Sequence, residues 1–252
     1  MYNPMEMPGK TVLVTGASAG IGKETSILLS RLGASVVLVG RDMDRLRKVL
    51  SCLEGKGHRI ECFDLTHTDA IPDWLKGICA ESGPLSGIVH CAGIQNFLPL
   101  RSLNADAIES VLNINLKAAI SLARGFRLKN VHAETGSLVL VSSVMGLVGG
   151  VGRSVYSASK GALNALARSL SLELAREGIR VNCVAPAFVK TEMWDQICQS
   201  LGPEQTAAIL EAHPLGLGEP RDVADSIAFL LADSSRWITG SILVVDGGYT
   251  AR

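Results

Sequence analysis

The chain has 252 residues, 24 basic and 24 acidic side chains, and a formal net charge of zero. That balance, with no concentrated basic run, excludes the electrostatic signature of a nucleic-acid or polyanion binder. Hydrophobic residues make up 47% of the sequence, yet no apolar run approaches the ~20 residues needed to span a bilayer. The first ten residues lack the basic and apolar blocks of a signal peptide, so the expected location is cytoplasmic. The length suits one large domain, taken as residues 1–252. The six cysteines (Cys52, Cys62, Cys79, Cys91, Cys183 and Cys198) show no CxxC and no metal-ligand spacing. They are expected to be free thiols, and no metal is expected.

In chain order, β-branched apolar runs at residues 11–15, 35–39, 59–63, 87–90, 137–141, 180–184 and 241–245 read as strands. Helical patterns at 20–32, 43–54, 70–81, 105–129, 155–177 and 221–232 alternate with them. Solidly apolar strands separated by helices predict an α/β fold with a doubly wound parallel sheet and helices on both faces. The one break in the alternation is 188–217, which contains Trp194, Pro203 and Pro214. An insertion after a late strand lies near the carboxyl edge of such a sheet, and this one is expected to be a substrate lid.

Directly after the first strand comes Thr15-Gly16-Ala17-Ser18-Ala19-Gly20-Ile21-Gly22, opening a helix. Glycines there permit a tight turn and close backbone approach to a pyrophosphate resting on the helix N-terminus. Folds that select NAD usually place an acid at the end of the second strand to hold the ribose 2′-hydroxyl. This chain has Gly40 there, followed by Arg41 and Asp42. An arginine pairs with a 2′-phosphate and stacks on adenine. Ser18 adds a hydroxyl, and Arg45 lies one turn beyond. NADP(H) is therefore expected over NAD(H).

Tyr156 and Lys160 lie one helical turn apart on one face, which continues through Leu163, Ala167, Leu170 and Leu174. A lysine on an apolar stripe needs a partner or a task. A nearby ammonium lowers a tyrosine pKa from about 10, so Tyr156 is expected to titrate closer to neutrality as a general acid or base. On these residues the chain reads as an enzyme.

With the glycine turn, Ser143, Tyr156 and Lys160 in this order, the chain resembles the short-chain dehydrogenases/reductases over essentially its full length, and among them the 3-oxoacyl-[acyl-carrier-protein] reductase-like members. The resemblance implies a Rossmann-type fold. It also implies hydride transfer between NADP(H) and a ketone, 3-oxoacyl carbonyl or secondary alcohol. Four catalytic residues carry over: Asn115, within Asn113-Ile114-Asn115-Leu116, Ser143, Tyr156 and Lys160. Tyr156 would protonate the developing alkoxide while Ser143 holds the substrate oxygen. Lys160 would bind the nicotinamide ribose, and Asn115 would anchor a water leading to it. Cofactor contacts carry over to Gly16, Ser18, Gly20, Ile21, Gly22, Arg41, Asp64, Leu65, Cys91, Ala92, Gly93, Tyr156, Lys160, Pro186, Val189 and Thr191. Gln95, Met145, Val151, Phe188 and Trp194 are the candidate substrate contacts, with Leu147, Val148 and Asn96 nearby.

Two departures stand out. His90-Cys91-Ala92-Gly93 replaces the family's Asn-Asn-Ala-Gly, with His90 expected to pack at a strand end, and Pro186-Ala187 replaces Pro-Gly. Glu134 and Glu177 stand where carrier-protein reductases tend to have arginine, which weakens a carrier-protein substrate. Relatives generally assemble through the helix at 155–177 and its predecessor, so a homotetramer, or a homodimer, is expected. A non-catalytic dinucleotide-binding regulator is the competing class. Such proteins typically lose the tyrosine or the lysine, and this chain keeps both.

Overall fold

A computed structural model describes residues 3–251. The elements in chain order are β1 (Thr11–Thr15), α1 (Gly20–Arg31), β2 (Ser35–Gly40), α2 (Met43–Leu50), β3 (Arg59–Cys62), α3 (Ile71–Ser82) and β4 (Leu85–His90). They continue through α4 (Ala105–Leu112), α5 (Ala118–Phe126), β5 (His132–Val141), α6 (Ser154–Leu174) and β6 (Ile179–Pro186). The chain closes with α7 (Glu192–Ser200), α8 (Pro203–Glu211), α9 (Pro220–Leu231) and β7 (Ile242–Val245). All strand pairs are parallel, in the order β3-β2-β1-β4-β5-β6-β7.

Alternate residues of each strand feed opposite layers, as the two-residue period of a strand requires. Val12, Val14, Val36 and Leu38 join one apolar cluster with α1 and α9. Leu13, Val37 and Val39 join the other, with α3, α5 and α6. Burying an aliphatic side chain this fully contributes about 1.5–3 kcal/mol, so both faces must be covered. That is why these strands read as continuous apolar runs.

Strand order reverses between β1 and β4, both centred in the sheet. Their carboxyl ends form the topological switch point where open α/β sheets bind ligands. The expected helix at 105–129 is interrupted by a π-helical turn at Asn113–Lys117. The helix expected at 43–54 stops at Leu50, ahead of Gly55 (φ 96°) and Gly57 (φ 82°). The segment 188–217 contains α7 and α8. Among the described residues, no helix is long and apolar enough to cross a membrane.

Candidate active site

The glycine turn touches β4 at the switch point. A Cβ on Gly16 (φ 66°) would lie 2.9 Å from the backbone of Ala92, and one on Gly22 would lie 2.3 Å from the Gly16 carbonyl oxygen. One on Gly20 would lie 3.1 Å from Thr191 Cγ2, so the segment leading into α7 closes against the same turn. Ala19 supplies no side-chain cap to α1, and the first turn carries no acid. The orphan N–H groups of that turn are thus free for an anion. These features fit a bound pyrophosphate.

A groove runs from this turn along Ser18, Gly40, Arg41, Asp64, Leu65, Ala92 and Gly93. Asp42 does not oppose Arg41 there. Its carboxylate caps α2, accepting from the N–H groups of Asp44 (3.1 Å) and Arg45 (3.0 Å). The Asp64 carboxyl is held below its ordinary range, first by the Thr66 N–H, and Arg41 adds to the effect. Arg45 pairs with Glu192, tying the β2–α2 corner to α7.

Gly93 also lines a second cavity, with an empty volume of about 720 Å³ open to solvent. Ile21, Cys91, Gln95, Ser143, Met145, Tyr156, Lys160, Pro186, Phe188, Val189, Thr191 and Trp194 line it too. The groove and cavity meet at a residue whose missing side chain leaves room. A Cβ on Gly93 would lie 3.3 Å from both Asn115 Oδ1 and Lys160 Nζ. Together the groove and cavity leave one elongated space running from Arg41 past Gly93 to Lys160.

Ser143 starts a short 3-10 turn, accepting from the Met145 N–H at 3.2 Å. Its neighbour Ser142 instead donates to the Lys160 carbonyl at 3.0 Å and ties β5 to α6. Lys160 is 4% exposed, and its Nζ donates to the Val141 carbonyl at 2.7 Å. Burial pulls its pKa down to about 8. Tyr156 hydrogen-bonds Ser143, and burial outweighs that contact and pushes the phenol up. The expected downward shift toward neutrality is therefore not found. Lys160 stands 5.6 Å from the Tyr156 ring centre with its proton directed at Val141, and desolvation dominates the phenol.

Asn115 is fully buried in the π-helical turn. Its Oδ1 accepts from the Ile94 N–H at 2.9 Å, while Nδ2 donates to the Ile94 carbonyl (2.9 Å) and Ser159 Oγ (3.0 Å). The widened turn, a feature frequent at functional sites, lets an asparagine brace the strand end beside Lys160.

His90 packs at the end of β4. Nδ1 meets Thr15 Oγ1 at 3.0 Å and Nε2 meets the Ile114 carbonyl at 3.2 Å, which assigns a neutral ring with the proton on Nε2. Burial lowers its pKa from 6.5 to about 4. The unfolded chain therefore takes up a proton in that window while the folded one does not. Stability is full above pH 6.5 and falls as pH drops toward 4, by about 3 kcal/mol at ~1.4 kcal/mol per pH unit. Urea unfolding across pH 4–7 is expected to show this loss in wild type and a markedly flatter curve in His90→Asn. Parallel curves would place the loss elsewhere.

Val151 is the candidate substrate contact that lies apart. It is 93% exposed at the tip of a glycine-rich turn, with Leu147 and Val148 also exposed, and none of the three lines the cavity. Asn96 is likewise outside, its Nδ2 donating to the Ala107 carbonyl at 3.0 Å. The residue that sequence reasoning missed is Arg153, 8% exposed and lining the cavity beside Tyr156. Its only sequence signal is a position three residues before Tyr156, where it takes the N-cap position of α6. Ala187, Met193 and Ile197 complete the apolar wall.

A family model described as enoyl-(acyl carrier protein) reductase matches residues 16–250. The chain is similar to the 3-oxoacyl-[acyl-carrier-protein] reductase of Rickettsia prowazekii, with 36% identity over 97% of this chain and 98% of that one. It is also similar to the structure of a candidate short-chain alcohol dehydrogenase from Sinorhizobium meliloti (TM-score 0.92, 28% identity, 99% of both chains). A third relative is a candidate 2-deoxy-D-gluconate 3-dehydrogenase from Agrobacterium tumefaciens, solved with NADP bound (TM-score 0.89, 28% identity, 100% of both chains). The family match, the doubly wound sheet and the glycine turn at its switch point agree, and the chain belongs to the short-chain dehydrogenase/reductase family of oxidoreductases.

Proposed function

We propose that this chain is an NADP(H)-dependent reductase interconverting a ketone or 3-oxoacyl carbonyl with a secondary alcohol, and that Tyr156 is its general acid/base. The observation that carries this reading is one cavity faced by Ser143, Tyr156 and Lys160 and joined at Gly93 to a groove ending at Arg41. The nicotinamide, when bound, supplies the hydride. Ser143 offers its hydroxyl to the substrate oxygen, and the neutral phenol of Tyr156 stands ready to give that oxygen a proton. Lys160 would hold the nicotinamide ribose, and Asn115 keeps the backbone beside it in place. Met145, Phe188 and Trp194 give the cavity an apolar wall that suits the carbon frame of such a substrate.

NADP(H) is supported by Arg41, which carries an exposed cation at the groove with no acid on Gly40 to oppose it. Arg41→Ala is expected to raise KM for NADPH by about 10- to 100-fold, the value of a charge-assisted contact, with little change for NADH. Equal losses for both cofactors would contradict the assignment. A carrier-protein substrate has less support, because Glu177 pairs with Arg127 at 2.7 Å and neutralises a basic group on that surface. A homotetramer is proposed from Leu172, 81% exposed on α6, and Ile120, 38% exposed on α5. A cytoplasmic location is proposed from the six free cysteines.

A further inference from the structure

Among the described residues, Arg153 is a buried cation with no carboxylate paired to it. Its Nη1 donates to Gln95 Oε1 at 2.9 Å, and this is the guanidinium's only hydrogen bond among the described residues. The guanidinium carbon lies 5.6 Å from the centre of the Phe97 ring and 5.2 Å from that of Phe188. The preceding turn is shaped around this arrangement. A Cβ on Gly150 would lie 3.1 Å from Arg153 Cδ, and one on Gly152 would lie 3.1 Å from the Phe97 ring.

Among the described residues, no acidic side chain lines the cavity, while both Arg153 and Lys160 do. Burial lowers the Arg153 pKa, opposed by Tyr156 and Tyr249, and an arginine stays charged even so. A neutral side chain would brace Gln95 and the two rings without burying a charge. The unused N–H donors point to a partner that arrives from outside.

We propose that Arg153 recognises a substrate carboxylate, and that the substrate is therefore an oxo acid or its hydroxy-acid counterpart. The carboxylate docks on Arg153 while the carbonyl or hydroxyl reaches Ser143 and Tyr156. The inference rests on the reading of this cavity as a reductase site. Carboxylate and guanidinium match in two parallel N–H···O bonds. A phosphate would bring a second charge, and the cavity's other cation, Lys160, is turned to the Val141 carbonyl. The apolar rings limit screening by water, so the contact is selective as well as attractive. Arg153 sits at the N-cap of α6, three residues before Tyr156, and both line the cavity, so one small substrate can meet the two together.

The test pairs each of a series of short linear and cyclohexane oxo acids with its methyl ester, in steady-state NADPH oxidation by the wild-type protein. At least one acid is expected to exceed its ester in kcat/KM by about 10- to 100-fold. Arg153→Gln should collapse that ratio, and Arg153→Lys should retain part of it. Turnover with acid and ester equal throughout would overturn the carboxylate inference and leave the reductase reading intact. A second measurement needs no turnover. Calorimetric titration of the protein–NADPH complex with cyclohexanecarboxylate and hexanoate, against their amides, should show about tenfold tighter binding of the acids, lost in Arg153→Gln. Tighter acid binding without reduction of any ketone would overturn the reductase reading and the oxo-acid substrate with it, and leave Arg153 as a carboxylate site. Equal binding of acids and amides would overturn the role of Arg153.

Discussion

Tyr156→Phe is expected to lower kcat for carbonyl reduction by about 10²- to 10⁴-fold, the range for loss of a positioned general acid, while NADPH still binds. The substitution removes only the hydroxyl. The ring keeps its place against Val144, Met145, Ala187 and Tyr249, so the fold persists. Burial raises the phenol's pKa, so at neutral pH Tyr156 holds its proton, the state a reduction needs. Reduction should therefore be flat through neutral pH and decline on the alkaline side. Oxidation of the alcohol requires the phenolate and should improve as pH rises. A reduction rate that increases with pH would contradict the assignment of acid and base.

The second large effect is predicted for Gly22→Ala. Its Cβ would stand 2.3 Å from the Gly16 oxygen and 2.8 Å from the Gly16 carbon, both backbone atoms that cannot rotate away. The turn must shift, and forced overpacking of this kind costs about 1–3 kcal/mol, or about 3–10 °C in Tm for a chain of this length. More telling is the effect on the cofactor. At 100-fold excess over Kd, NADPH should stabilise wild type by about 2.7 kcal/mol, or about 5–10 °C. Gly22→Ala should show almost none of that gain. Gly77→Ala is the control, because that glycine lies exposed within α3 and a Cβ there meets nothing within 4 Å. Helix propensity alone should raise its stability by up to about 1 kcal/mol. Full NADPH protection of Gly22→Ala would mean that the turn does not hold the pyrophosphate.

The sheet was legible because it is buried on both faces. Val12 through Val14 and Val36 through Val39 leave no polar position to confuse the pattern, whereas β5 begins at His132, five residues before the apolar run that marked it. Tyr156, Lys160 and the glycine turn were legible because local spacing alone determines their neighbours. Other features depend on distant residues. Arg153 reads as a solvated charge in a glycine-rich loop until Phe97 and Phe188 fold against it. Val151 reads as apolar lining, yet apolarity does not say which way a loop residue points, and the close packing of Gly150 and Gly152 leaves it at the tip. The π-helical turn was hidden because Ile114 and Leu116 continue a helical pattern on either side of Asn115. The rise in the Tyr156 pKa was hidden for a related reason. Spacing brings Lys160 close but does not reveal that its ammonium is committed to the Val141 carbonyl.

In the proposed reaction, hydride reaches a carbonyl carbon in the cavity faced by Ser143 and Tyr156. Its most direct test is single-turnover reduction of an oxo acid or ketone with NADPH carrying deuterium at the nicotinamide C4, for wild type and Tyr156→Phe. Wild type is expected to place one deuterium on the carbinol carbon of the product, transferred from one face of the ring, and Tyr156→Phe to give almost no product. Deuterium on a former alkene carbon, equal turnover by Tyr156→Phe, or tight NADPH binding with no transfer to any carbonyl would contradict the proposed reaction.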